Sequence, residues 1–382
     1  MENFSFTKNV GIPFISGILG AGLSVGICFG VPSIRNNLLT TNSNAVVIKT
    51  STEDNSNSTS LISLNSYSDT GISVAQKVLP SVVGINVEYS VSSIFSKGES
   101  SATAQGSGVI ISEDGFILTN NHIVNTSSSS SYYEISKANK VTVYLYNDET
   151  AYEATIIGTD DQTDLAVIKI DKTGLTAAEL GDSDSVQVGE FVMAIGNPLG
   201  MQSSVSSGMI SAVNRKVTKD GVTYNLIQTD SAINSGNSGG ALVNSKGQVI
   251  GINTLKMSGS GVEGMGFAIP INSTKDIYSQ LIQYSKVKRP YIGISGRDLD
   301  ESIAKANNLV TGVYIVSVSE FSAAEKSGLK IGDIITSIDG KKITTMDELN
   351  EIKNTHSIGD EVKLTIYRDG NEKEITLTLQ EQ

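Results

Sequence analysis

The chain has 382 residues, 39% of them hydrophobic, with 37 glycines, one cysteine and a formal net charge of −12. That length suits two or three domains with cores of their own, and the acidic balance argues against general nucleic-acid binding, which needs a basic footprint. The lone Cys28 rules out an intrachain disulfide, and with only two histidines a structural zinc site has no ligand set; no metal and no cofactor is expected.

The first predicted element is Val10–Val31, 22 residues without a charge, long enough to cross a bilayer. Lys8 precedes it and Arg35 follows it, so the flanks carry almost no orientation signal. A cleaved signal peptide is the alternative. The stretch exceeds a usual signal-peptide core and no A-x-A site follows, so an uncleaved transmembrane anchor over residues 1–35 is the expectation. Gly22, Gly26 and Gly30 have the spacing of a close helix-packing face, although the abundance of glycine accounts for it as well. Residues 36–70 are rich in Ser, Asn and Thr, too poor in apolar groups to order themselves, and read as a tether.

The folded body is expected from Gly71. "ISVAQKVLPSVVGINV" reads as a short helix stopped near Pro80, then a strand. Short apolar runs follow, among them "GVIIS", "FILTN", "VTVYLY", "LAVIKI", "FVMAIGN", "VIGIN" and "GFAIPI", joined by tight-turn pairs such as Asp114-Gly115 and Lys246-Gly247. Many short strands without a βαβ rhythm point to a barrel or a sandwich. A helical stretch, Ser273–Tyr284, and the basic segment "YSKVKRPYIGI" separate this region, 71–286, from a second unit, 287–382. The second unit reads as short strands, two helices near Ser322–Lys326 and Met346–Asn354, and a final hairpin turned at Asp369-Gly370. No internal repeat is evident.

The chemistry centres on "NSGNSGGALV", where glycines crowd Ser238. A serine hydroxyl is a weak nucleophile until a base takes its proton, and a carboxylate must orient that base. Of the two histidines, His356 lies in a polar loop of the second unit, whereas His122 ends the apolar strand "FILTN". Asp164 opens "TDLAVIKI", with Asp160 and Asp161 as competitors in a more exposed turn. Taken singly, His122 and Asp164 read more naturally as structural residues. Together, His122, Asp164 and Ser238 follow the chain order His, Asp, Ser of the chymotrypsin arrangement. The glycines then acquire a purpose: Gly236 and Ser238 are the expected N–H donors to an oxyanion, with Asn237 as a third contributor, and Gly239 and Gly240 admit a substrate strand.

"GSGVIISEDGFILTNNHIV", "TDLAVIKI", "AIGNPLG", "TDSAINSGNSGGALVNSKGQVIGIN" and "GFAIPI" resemble the HtrA (Do/Deg) trypsin-like serine proteases, and "RPYIGI" with "GVYIVSVSEFSAAEKSGLKIGDIITSIDGKKI" resembles a PDZ domain of that family. The resemblance covers Gly71 to the end. It implies a mainly β fold, a two-barrel chymotrypsin-like protease domain followed by a PDZ domain, and assembly as a homotrimer. It also implies a body on the extracytoplasmic side of the cell membrane. Ser235 and Ala241 stand where the family often has proline, and Glu88–Gln105 reads as a short Ser-rich regulatory loop.

Physical need and resemblance together suggest unfolded proteins as substrates, bound as an added strand along "GINTLKM", with Ile233, Asn234 and Leu255 lining the specificity pocket. No acidic residue lies within Ser231–Ser235, so small or medium apolar side chains are expected before the cleaved bond. The plainer alternative is that these residues fill the barrel core. In the second unit, the resemblance assigns peptide C-termini to the loop Tyr291, Ile292, Gly293 and Ile294, with Leu349 and Ile352 facing the groove, and a regulatory role to Arg215. No G-x-x-x-x-G-K-[ST] loop suggests nucleotide use. The runner-up function is a peptide-binding chaperone or sensor with an idle triad.

Overall fold

The computed structural model describes residues 64–93, 100–125, 133–198, 203–219, 222–256 and 264–381. The expected anchor, Val10–Val31, and most of the tether lie outside them. Among the described residues no helix is long and apolar enough to cross a membrane.

Helix α1, Leu64–Val78, ends at a 3-10 turn, Leu79–Ser81, where Pro80 removes a backbone donor. The helix therefore starts seven residues before Gly71. Tyr67 explains the extra turns: its ring meets Phe191 edge-on at 5.1 Å and its hydroxyl pairs with Ser207 Oγ at 2.9 Å. Such contacts, made with residues distant in sequence, leave no local signal in a polar segment.

Six strands follow: β1 (Val82–Ser93), β2 (Ser100–Ile110), β3 (Phe116–Asn120), β4 (Tyr133–Tyr144), β5 (Ala151–Asp160) and β6 (Leu165–Ile170). They close into a barrel in the order β1-β2-β3-β6-β5-β4. Six more, β7 (Phe191–Gly196), β8 (Ser204–Lys219), β9 (Val222–Thr229), β10 (Ala241–Asn244), β11 (Val249–Lys256) and β12 (Gly266–Pro270), close a second barrel as β7-β8-β9-β12-β11-β10. The two orders are identical, a duplication at the level of fold that the residues themselves do not repeat. Part of Glu88–Gln105, expected as a loop, is strand: β1 and β2 pair continuously from Val82↔Val109 to Val91↔Ser100.

Each barrel has an interior of its own, and a third cluster joins them. That cluster combines Val74 and Val78 of α1, Val109, Leu118 and Val167 of the first barrel, and Ile195, Val243 and Ile252 of the second. Helix α2, Asn121–Val124, is a single turn after β3, and α3, Ile271–Tyr284, closes the protease region with a left-handed Ser285.

The C-terminal unit holds β13 (Pro290–Tyr291), β14 (Ile294–Leu299), α4 (Glu301–Ala306), β15 (Gly312–Val318), α5 (Ala323–Lys326), β16 (Ile334–Ile338), β17 (Lys341–Lys342), α6 (Met346–Lys353), β18 (Glu361–Arg368), β19 (Asn371–Thr378) and β20 (Gln380–Glu381). Its main sheet runs β14-β15-β16-β18-β19, and β13 pairs with β20. Ser322 and Thr345 cap α5 and α6 by accepting from Glu325 N–H and Glu348 N–H. The final turn, Asp369 at φ 51° and Gly370 at φ 80°, has the two left-handed residues that a two-residue hairpin of this twist requires.

Candidate active site

His122 lies on the single turn α2, and Asp164 ends the four-residue loop between β5 and β6, where the Asp160↔Leu165 pair closes the hairpin. Asp164 has φ 56°, a left-handed conformation that aspartate tolerates better than most residues. Its carbonyl accepts from Asn121 N–H at 3.0 Å and Asn120 Nδ2 at 3.1 Å, which ties the loop to α2. Its carboxylate Oδ1 accepts His122 N–H at 3.0 Å, and both oxygens lie within 2.9 Å of His122 Nδ1. With Nδ1 held by a carboxylate, Nε2 is left as the basic nitrogen of a neutral ring. The side chains are 48% exposed for His122 and 13% for Asp164, so the imidazole meets incoming groups while its partner is shielded.

Ser238 belongs to the second barrel and is buried. Thr254, on β11, joins it to the acid. Its Oγ1 donates to Asp164 Oδ2 at 2.7 Å, and its carbonyl accepts Ser238 Oγ at 3.4 Å. The Ser238 loop also packs directly on α2: a side chain on Gly239 would come within 2.9 Å of Ile123 Cδ1, next to His122. Asp164 and His122 thus pair directly, and Thr254 links Ser238 to Asp164 across the seam between the barrels.

The surrounding glycines have a different use from the one expected. A Cβ on Gly239 would lie 2.3 Å from Ser107 O, and one on Gly240 would lie 2.2 Å from Ile195 O. These two glycines admit the protein's own strands, not a substrate strand. Asn237 N–H donates to Asn234 O at 3.0 Å, so this amide is committed within the loop and is not an oxyanion donor in this conformation. Gly236 and Ser238 N–H have no partner among the described residues.

Ile233 is a correction: it is 3% exposed and belongs to the interior of the second barrel with Ile210, Leu242 and Ala268. Asn234 is exposed, with its N–H on Asn237 Oδ1 at 2.9 Å. Leu255 pairs its backbone with Phe267; its side chain lies outside the described residues. The pairing of β10 with β11 ends at Ala241↔Ile252, Asn253 still exchanges backbone bonds with Gly239 N–H and Gly240 O, and beyond it β12 is the ladder neighbour of β11 among the described residues.

In the C-terminal unit, the carbonyls of Ile292 and Gly293 accept from Ala324 N–H at 2.8 Å and Ser319 N–H at 2.9 Å. In a trans peptide the N–H points opposite to the C=O, so the amides of Gly293 and Ile294 face away from the Ser319–Ala324 segment. Gly293 has φ 92°, and a Cβ there would collide with Ser322. Tyr291 pairs its hydroxyl with Ser319 Oγ at 2.9 Å. Leu349 is a second correction, being core at 1% exposure; Ile352 is half-buried against the same core. Met346 was missed: it covers Gly296 of β14, where a Cβ would lie 2.5 Å from its sulfur.

Arg215 is exposed on β8. Its neighbour Lys216 makes one contact between the units, 2.6 Å to Glu351 on α6, and Thr223 Oγ1 donates to Asp347 at 2.7 Å. The hydrogen bond to Glu351 raises the Lys216 pKa. Asp160 is buried, contrary to the exposed turn expected, and takes both Arg289 nitrogens at 2.6 and 2.7 Å while accepting Thr163 N–H at 3.1 Å. Beside it a cavity of about 390 Å³ is lined by Thr163, Arg289, Asp347 and Lys353. Burial, then the charge of Arg289, holds Lys353 below the ordinary lysine range. His356 sits far along the chain from this chemistry, paired with Asp339 at 2.9 Å.

The family described as "Trypsin-like peptidase domain" matches residues 106–252, and "PDZ domain" matches residues 290–379. The Bacillus subtilis "Serine protease Do-like HtrB" is 38% identical over 395 residues, covering 97% of this chain and 82% of its own. The Haemophilus influenzae "Probable periplasmic serine protease do/HhoA-like" is 42% identical over 292 residues; the matched region spans 74% of this chain and 60% of that relative's length. Escherichia coli "Periplasmic pH-dependent serine endoprotease DegQ" is 39% identical, with coverages of 80% and 69%. Among solved structures, "HtrA-type protease AlgW with decapeptide" superposes with a TM-score of 0.67 at 31% identity, over 81% of this chain and 98% of that one.

Proposed function

The chain belongs to the HtrA (Do/Deg) family of serine endopeptidases, and from that premise we propose a membrane-tethered, ATP-independent member that degrades misfolded or damaged exported proteins. In this reading Ser238 Oγ attacks the scissile carbonyl carbon as His122 Nε2 takes its proton, while Asp164 holds the imidazole. His122 returns that proton to the departing amine, and water then releases the acyl group from Ser238 by the same route. The N–H groups of Gly236 and Ser238 receive the oxyanion. The observation that carries the reading is the Asp164–His122 pair joined to Ser238 through the two ends of Thr254.

The side of β11 beyond Asn253, which pairs with no strand among the described residues, supports substrate binding by strand addition. With Ile233 withdrawn into the barrel interior, Asn234 and Leu255 remain as the pocket residues, and the preference for small or medium apolar side chains stands on the lack of an acidic residue in Ser231–Ser235.

The PDZ domain binds C-terminal peptides at the amides of Gly293 and Ile294 and regulates the protease. The support for regulation is that α6, which flanks β14, also carries Asp347 and Glu351 to the β8–β9 hairpin beside Arg215. Assembly as a homotrimer is supported by an exposed apolar face of Tyr67, Val205 and Met209. The uncharged Val10–Val31 supports the tether, and the periplasmic relatives support placement of the body outside the cytoplasm.

The test is cleavage of unfolded casein and labelling by a fluorophosphonate, with the full chain in detergent. Wild type is expected to cleave and to be labelled at Ser238, and Ser238→Ala to do neither; cleavage unchanged in that variant removes the assignment. Peptides with free hydrophobic C-termini are expected to bind, and amidated ones not to.

A further inference from the structure

The motif "QGSGVI" of β2 has a serine, Ser107, that the triad does not use. It is fully buried, between Gly106 and Gly108. A Cβ on Gly106 would lie 2.4 Å from Ile123 Cδ1 and 3.2 Å from Ser238 O, so the strand runs here as close to the nucleophile loop as backbone allows. Every polar group of Ser107 is committed across the barrel seam or beside it. Its N–H donates to Ser238 O at 2.8 Å, its Oγ donates to Gly236 O at 2.7 Å and accepts Asn197 N–H at 2.8 Å, and its carbonyl accepts Thr119 Oγ1 at 2.7 Å.

The consequence lies in the peptide planes. The plane joining residues 236 and 237 is held at its oxygen by Ser107 Oγ and at its N–H by Asn234 O, 3.0 Å. The plane joining residues 238 and 239 is held at its oxygen by Ser107 N–H and at its N–H by Asn253 O, 2.7 Å. Between them, the plane that carries Ser238 N–H has its oxygen on Gly240 N–H at 3.0 Å. Both planes flanking that amide are thus pinned by one residue of the other barrel. The same hydroxyl holds Asn197, whose neighbour Pro198 lies against Gly236, 2.6 Å from where a Cβ would stand.

We propose that Ser107 is a positioning residue for catalysis: its hydroxyl fixes the peptide plane next to the one that carries the Ser238 amide, and keys the nucleophile loop to the Asn197–Pro198 segment. The inference rests on Ser238 being the nucleophile. Misaiming a preorganised donor costs less than deleting it, and small misplacements near reacting atoms cost up to about a hundredfold in rate.

The experiment measures Ser107→Ala on a short peptide substrate, with active sites counted by fluorophosphonate titration. Expected is a kcat per titrated site lower by about tenfold to a hundredfold, with KM within about threefold of wild type. Affinity for a peptidyl boronate should fall by the same factor as kcat. Ser107→Ala added to Ser238→Ala should bind an uncleaved peptide as Ser238→Ala alone does. If Ser107→Ala does not fold, Ser107→Cys decides, since a thiol keeps the volume and donates weakly; an intermediate kcat is expected. Wild-type kcat per site, or a loss confined to KM or to the folded fraction, overturns the proposal. Failure of wild type to label at Ser238 would instead remove the nucleophile assignment beneath it.

Discussion

Thr254 is the residue on which the two halves of the site depend most visibly. Its hydroxyl supplies one of the bonds that hold the Asp164 carboxylate and its carbonyl takes the Ser238 hydroxyl. Thr254→Val keeps the shape and removes the donor, so Asp164 is left to hold His122 with one support fewer. A fall in kcat of about tenfold with little change in KM is expected, within the range of a net hydrogen bond to a charged group; steady-state kinetics on a peptide substrate checks it. That His122 would pair with Asp164 was legible because two histidines leave a short search and the chain order is informative. Thr254 and Ser107 were not legible, because a hydroxyl residue in a serine-rich chain carries no sign of what it will touch. Ile233 misled for the complementary reason: proximity to Ser238 in sequence does not say which way a side chain turns, and here it turns inward.

At the scale of elements, the joint between the units is the Arg289–Asp160 pair, in which the side chains are 14% and 7% exposed. Asp160 closes the hairpin whose loop ends in Asp164, so the segment entering the PDZ domain is bound to the hairpin that holds the His122 partner. Arg289→Ala would leave a buried carboxylate unpaired, with an expected cost of about 3–5 kcal/mol. Hydrogen exchange is expected to rise first in the β5–β6 hairpin and at β13, ahead of the second barrel's interior. By contrast, Lys216→Ala removes an exposed, solvent-screened pair, and stability is expected to stay nearly unchanged. The strands and the larger helices were readable from apolar runs and turn pairs. The start of α1 was not, since Tyr67 is ordered by Phe191 and Ser207, more than a hundred residues away.

At the scale of the molecule, the two barrels share one strand order with no repeat in their residues. Burial pattern and turn positions suffice to specify a six-stranded barrel, and many sequences meet them, which is why the fold was read as barrel or sandwich before the family likeness narrowed it. The exposed face of β8, where Val205, Ser207 and Met209 alternate beside Tyr67, is the surface proposed to join copies of the chain. Met209→Asp places a charge there without touching the interior. Sedimentation is expected to show a smaller species with unaltered secondary structure; an unchanged sedimentation coefficient would remove this face from the assembly.

Helix α1 has one more implication. It leads directly into the first barrel yet rests its aromatic end on the second, like a strap buckled across both. A clipped chain beginning at Gly71 would keep every reacting group and lose the buckle. Fragments intended for assay or crystallisation should therefore start upstream of Leu64.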